Sequence, residues 1–141
     1  MDTISGRLEL HDVEPGKYLM KRILILEDDI QYQKYIETIL SAEGYQVTAL
    51  SDGKQGLAAL EEGTFDLLIT DVFMPKVDGI IVLLHIRNKY HNMKVICMTG
   101  GGQGRIPEEV LNASKTLGAH KNLKKPFTKI KLLPLVRELV G

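Results

Sequence analysis

The sequence predicts a doubly wound α/β fold, a five-stranded parallel sheet with helices on both faces. Short apolar runs alternate with stretches of helical period about five times, without internal repeats. The runs are continuous rather than alternating, as in strands buried on both faces. Three of them stop abruptly at polar residues: at Glu27-Asp28-Asp29, at Thr70-Asp71 and at Thr99.

Residues 22–26 form the first apolar run and predicted strand. From Ile30 the period becomes helical, with Tyr32, Tyr35, Ile36, Ile39 and Leu40 on one face and Gly44 as the stop. Residues 46–50 are the second strand, with Val47 and Ala49 alternating. Ser51 or Asp52 can cap the next helix, which carries Leu57 and Leu60 and ends at Gly63. A third strand at 66–70 precedes a helix from Asp78-Gly79 to about Tyr90. The fourth strand, 94–98, is closed by Thr99 and a glycine-rich loop, Gly100-Gly101-Gly102-Gln103-Gly104. Pro107 suits a helix's first turn and opens a segment with Val110, Leu111 and Leu117 at helical spacing. Residues 120–123 are a short fifth strand, and Lys124-Lys125-Pro126-Phe127 leads into a last helix. Pro134 falls inside that helix, which is expected to bend there or become regular only near it.

The chain's 141 residues suit one domain. Hydrophobic content of 44% and charged content of 26% are those of a soluble globular protein. Eighteen basic residues balance eighteen acidic ones, so no overall field favours nucleic acid or an anionic membrane. The longest apolar run, at 80–84, is far below the roughly 18 residues of a membrane span. The single cysteine, Cys97, excludes an internal disulfide and fits a reducing, cytoplasmic setting. The four histidines lack paired ligand spacing, which argues against zinc. Residues 1–19 have no clean period and are expected to be a flexible arm or a segment from an upstream start. Residues 20–141 are the folded domain.

With five strands, the flavodoxin-like order 2-1-3-4-5 is the natural arrangement. It brings Glu27, Asp28, Asp71, Thr99 and Lys125 to one edge, at the carboxyl ends of the strands, where such sheets place ligands. Asp71 could merely cap a turn. Alternatively, the acids crowd: at about 5 Å and an effective dielectric of about 20, each like-charged pair costs roughly 3 kcal/mol. A hard divalent cation offsets that cost, and Mg2+ takes one or two carboxylates, keeps water and favours phosphate oxygens. Lys125 can neutralise another phosphate oxygen and Thr99 can hydrogen-bond one. Such a carboxylate nucleophile is suited to phosphoryl transfer onto an aspartate.

These residues carry a resemblance. The acidic pair after the first strand, the Asp71-x-x-Met-Pro-x-x-Asp-Gly segment, Met98-Thr99-Gly100 and Lys125-Pro126-Phe127 occur in order on the expected strand ends. In this the chain is similar to the receiver domains of response regulators, over residues 20–141. The resemblance implies that Asp71 is the phosphoacceptor. Asp28 would bind Mg2+ (or another divalent cation such as Mn2+) directly and Glu27 through water, with Asp71 and the Phe73 backbone carbonyl completing the protein ligands. Thr99 and Lys125 would engage phosphoryl oxygens, and Asp29 would be peripheral. Two departures stand out: Asn122 occupies a position where receivers commonly carry Tyr or Phe, and the loop after Thr99 is long.

The function expected is a stand-alone receiver in two-component or phosphorelay signalling, phosphorylated by a histidine kinase or phosphotransfer protein and switching its affinity for a protein target. It would be no enzyme beyond its own phosphorylation and slow dephosphorylation. Neither nucleic acid nor membrane is an expected direct partner, and a homodimer is compatible. Two rival readings are a Mg-dependent phosphohydrolase, against which Phe73 stands where a second acid is needed, and a receiver-like interaction module that is never phosphorylated. Tyr32 and Tyr35 read as packing residues.

Overall fold

The computed structural model describes residues 20–72, 79–90, 92–100 and 118–141. In chain order the elements are β1 (Arg22–Leu26), α1 (Ile30–Ala42), β2 (Gln46–Leu50), α2 (Gly53–Glu62), β3 (Leu67–Asp71), α3 (Gly79–Lys89), β4 (Lys94–Thr99), β5 (Lys121–Lys124) and α4 (Lys129–Val140). The five strands pair in parallel in the order β2-β1-β3-β4-β5, as the alternation of elements predicts.

Successive strand residues face opposite sides of a sheet, so each apolar run supplies two cores. Ile23, Ile25, Leu67, Ile69, Ile96, Met98 and Leu123 meet Ile36 and Leu40 of α1 and Leu132, Leu133 and Val136 of α4. Leu24, Leu26, Leu68, Val95 and Cys97 meet Leu60 of α2 and Val82 and Ile86 of α3 on the other side. Most of these side chains are wholly buried. Each leucine or isoleucine so buried stabilises the fold by about 1.5–3 kcal/mol.

Local chemistry sets the helix ends. Asp29 caps α1 by accepting from the Gln31 and Tyr32 N–H groups, and Asp52, rather than Ser51, caps α2 through the Gln55 N–H. Gly44, at φ +95°, closes α1: its own N–H donates to the Ser41 carbonyl, and the Tyr45 N–H donates to that of Leu40. Gly56 lets α2 lie close to β1, because an added methyl there would stand 2.5 Å from Leu26 Cδ1.

Two boundaries differ from expectation. β5 runs one residue later, from Lys121 to Lys124, so Lys125 follows the strand directly. α4 does not wait for Pro134. It is helical from Lys129 to Val140 with the proline inside. Pro134 and Ile130, whose carbonyl loses its helical donor, both lie on the exposed face, where water can take the vacant acceptor. The helix expected after Pro107, the Gly101–Gly104 stretch, Phe73, Asp78 and residues 1–19 lie outside the described residues. Among those described, no helix is long and apolar enough to cross a membrane.

Candidate functional site

The sheet order places the chain's predicted polar residues at adjoining strand ends. Glu27 directly follows β1 and is 1% exposed. Its own N–H donates to the Leu50 carbonyl at 3.0 Å, which extends the β1–β2 ladder to the site. Asp28 is exposed beside it. Asp71 is the last residue of β3, in register with Met98 of β4. Thr99 ends β4 opposite Lys124, and the Lys125 N–H donates to the Thr99 carbonyl at 2.8 Å. Thr99 and Lys125 are buried, at 5% and 7% exposure.

Carboxylate oxygens of Glu27, Asp28 and Asp71 all lie within 4.8 Å of one another. The Lys125 ammonium bridges two of them, reaching Glu27 Oε1 in a short contact and Asp71 Oδ2 at 2.7 Å. One cation against three carboxylates leaves the cluster negative. Burial pushes the Glu27 carboxyl above its ordinary range, against the pull of the Lys125 hydrogen bond. For Lys125 burial acts downward, yet the hydrogen bonds it donates to Asp71 and Glu27 outweigh it and hold the ammonium above the usual lysine value. The lysine is therefore charged at neutral pH. A negative cluster with one exposed acid and closely spaced oxygens suits a hard divalent cation.

Asp29, expected to be peripheral, lies outside the carboxylate cluster and supports one member of it through its main chain. Its N–H donates to Glu27 Oε2 at 3.0 Å while its side chain caps α1. Gln33, one turn on, donates from Nε2 to the Glu27 carbonyl at 3.0 Å. Both Glu27 oxygens are thus engaged by protein. An acid immediately before a helical period is a capping signal, so this part of Asp29's role was open to sequence reasoning. Tyr32 packs, as its helical spacing predicts: its ring meets Phe127 and Tyr35 edge to face. It also faces the site, with Lys125 Nζ 4.7 Å from the ring centroid. No sequence signal marks that contact. Asn122 lies within β5, in register with Cys97.

The model of the response regulator receiver domain matches residues 23–137. The transcriptional regulatory protein PcoR of Escherichia coli is 36% identical over 121 residues, which cover 86% of this chain and 52% of PcoR. The chain spans about half the length of the curated relatives it matches. Among solved structures, a CheY-like receiver domain protein of Methanospirillum hungatei superposes with a TM-score of 0.78 at 31% identity, over 84% of this chain and 92% of that one. TrrA of Thermotoga maritima, solved with Mg2+ and BeF, gives 0.75 at 28% identity, over 85% of this chain and 99% of its own. Fold, strand-end residues and sequence likeness agree, and the chain belongs to the response regulator receiver domain family.

Proposed function

We propose that this receiver is a phosphorylation-controlled switch in which Asp71 accepts a phosphoryl group from the phosphohistidine of a histidine kinase or phosphotransfer protein. The observation that carries the reading is the convergence of three carboxylates, Lys125 and Thr99 at the ends of β1, β3, β4 and β5.

An Asp71 carboxylate oxygen attacks phosphorus, the P–N bond breaks, and the imidazole leaves with its electron pair. Lys125 is already within hydrogen-bonding distance of that carboxylate, and turning to a phosphoryl oxygen lets it follow the charge. Thr99, buried at the end of β4, would bond a second phosphoryl oxygen. Asp28 and Asp71 would hold Mg2+ or Mn2+ directly, with the Phe73 carbonyl. Glu27 would act through water, in keeping with its two engaged oxygens. The cation, when bound, neutralises charge on the transferring group. Phosphorylation adds about −2 charge to a negative cluster, so labelling requires the cation.

On this reading residues 20–141 are the switching unit, it works in the cytoplasm, and its output is a changed affinity for a protein target or onward phosphate transfer. It catalyses nothing beyond its own phosphorylation and slow dephosphorylation. The same chemistry serves whether the unit acts alone or within a polypeptide of its relatives' length. Incubation with acetyl phosphate and Mg2+, followed by mass spectrometry, tests the reading. A stable phosphoryl group on Asp71 is the expected result. Continuous release of phosphate would point to a hydrolase, and no modification to a plain interaction module.

A further inference from the structure

Tyr32 stands on the first turn of α1, and its ring is the uncharged partner of the Lys125 ammonium beside Glu27 and Asp71. The ring is not free to turn independently. Its hydroxyl accepts the Phe127 N–H at 3.2 Å, and its edge contacts put Phe127 at 5.4 Å and Tyr35 at 5.7 Å between centroids. Tyr35 donates its hydroxyl to the Phe127 carbonyl at 3.1 Å. Two tyrosines of one helix therefore hold both main-chain polar groups of the residue two past Lys125. Simple packing needs neither bond. Tyr35 is itself 40% exposed, on the outer side of α1.

A cation over an aromatic face is held more strongly when both are removed from water, and Lys125 is 7% exposed. If Asp71 gains a phosphoryl group, the ammonium must leave Asp71 Oδ2 for a new oxygen while Glu27 and the ring remain beside it. The ring limits where the ammonium can go. Because the ring is tied to Phe127 and Tyr35, a shift of the ammonium is felt at the surface of α1.

We propose that Tyr32 is a positioning residue for Lys125, and that the Tyr32–Tyr35 pair carries the state of the Asp71 site to the exposed face of α1. This rests on the reading of Asp71 as phosphoacceptor. The test is titration of the whole 15N-labelled chain with beryllium fluoride and Mg2+, followed by amide NMR. In the wild type, shifts are expected around Asp71, at Phe127 and along residues 32–36. Tyr32→Leu, which removes the π face, is expected to weaken beryllium fluoride binding roughly two- to fivefold and to erase most of the shift at residue 35. Tyr32→Phe keeps the face and should restore the affinity, which a merely space-filling role would not distinguish. Tyr35→Phe, a milder change, should keep the affinity and shrink the response on α1. Wild-type affinity and an undiminished α1 response in Tyr32→Leu would overturn the inference, as would an unaltered α1 response in Tyr35→Phe should Tyr32→Leu fail to fold. A wild type that responds around Asp71 but not on α1 removes this inference alone. A wild type with no response around Asp71 removes the phosphoacceptor reading and this inference with it.

Discussion

Arg22, Asp66 and His120 mark the amino ends of the strands, whereas Glu27, Asp71, Thr99 and Lys125 mark the carboxyl ends. At the amino ends the Asp66, His120 and Tyr90 side chains each close a main-chain group. Asp66 Oδ2 accepts the Arg22 N–H at 2.8 Å, His120 Nδ1 accepts the Val95 N–H at 3.0 Å, and the Tyr90 hydroxyl donates to the Leu60 carbonyl at 3.0 Å. The Arg22 guanidinium lies over the Phe65 ring at 4.8 Å. At the carboxyl ends the charged side chains close mainly on one another, with Lys125 between Glu27 and Asp71. A contact at the first end secures the sheet. A contact at the second also sets where charge sits, and on the proposed function a phosphoryl group would rearrange it.

The contrast can be broken most sharply at Asp71. Asp71→Asn keeps the shape and removes the nucleophile, so labelling by acetyl phosphate should fall to background, by intact-protein mass spectrometry, while the far-ultraviolet circular dichroism stays native. Residual labelling at the wild-type level would place the acceptor elsewhere. Lys125→Met comes next. It leaves Glu27 buried without its cation, which should cost about 3–5 kcal/mol in urea unfolding. The protein that remains folded should still be labelled on Asp71, since the lysine is not the nucleophile.

Changes at the amino ends should be smaller and should spare the chemistry. Asp66→Ala removes the acceptor for the Arg22 N–H and is expected to cost about 1 kcal/mol with no change in labelling rate. A labelling rate that fell in step would erase the distinction between the two ends. His120 gives the smallest effect. Its pKa lies below the ordinary 6.5, chiefly through burial and then the nearby Lys94 charge. A depressed histidine pKa contributes stability that is complete above the unfolded value and is lost as pH falls through the folded one. Unfolding measured from pH 7.5 to 5 should therefore show a small acid-side loss that His120→Asn flattens.

Fold and site were legible in the sequence to different depths. Strands buried on both faces read as unbroken apolar runs, and β1, β3 and β4 emerged within a residue of their bounds for that reason. β5 was harder to place: among its four residues, Lys-Asn-Leu-Lys, Leu123 is the one fully buried, so the apolar pattern barely fixes its register. The convergence of Glu27, Asp28, Asp71, Thr99 and Lys125 followed from strand order alone. The ring beneath Lys125 depends on how α1 packs against the β5–α4 turn. That contact joins residues far apart in the chain, and no local period encodes it. Of the two outcomes expected at Pro134, the late start is not seen, because a proline's cost depends on whether the orphaned carbonyl meets water, which is a matter of exposure.

The placement of Tyr32 has an optical consequence. The chain has five tyrosines and no tryptophan, so its near-ultraviolet spectrum belongs chiefly to tyrosine. One of those chromophores lies 4.7 Å from an ammonium that the proposed chemistry would displace. The electric field of a moving charge shifts an aromatic transition, so the protein carries its own unlabelled gauge of the state of its acidic cluster.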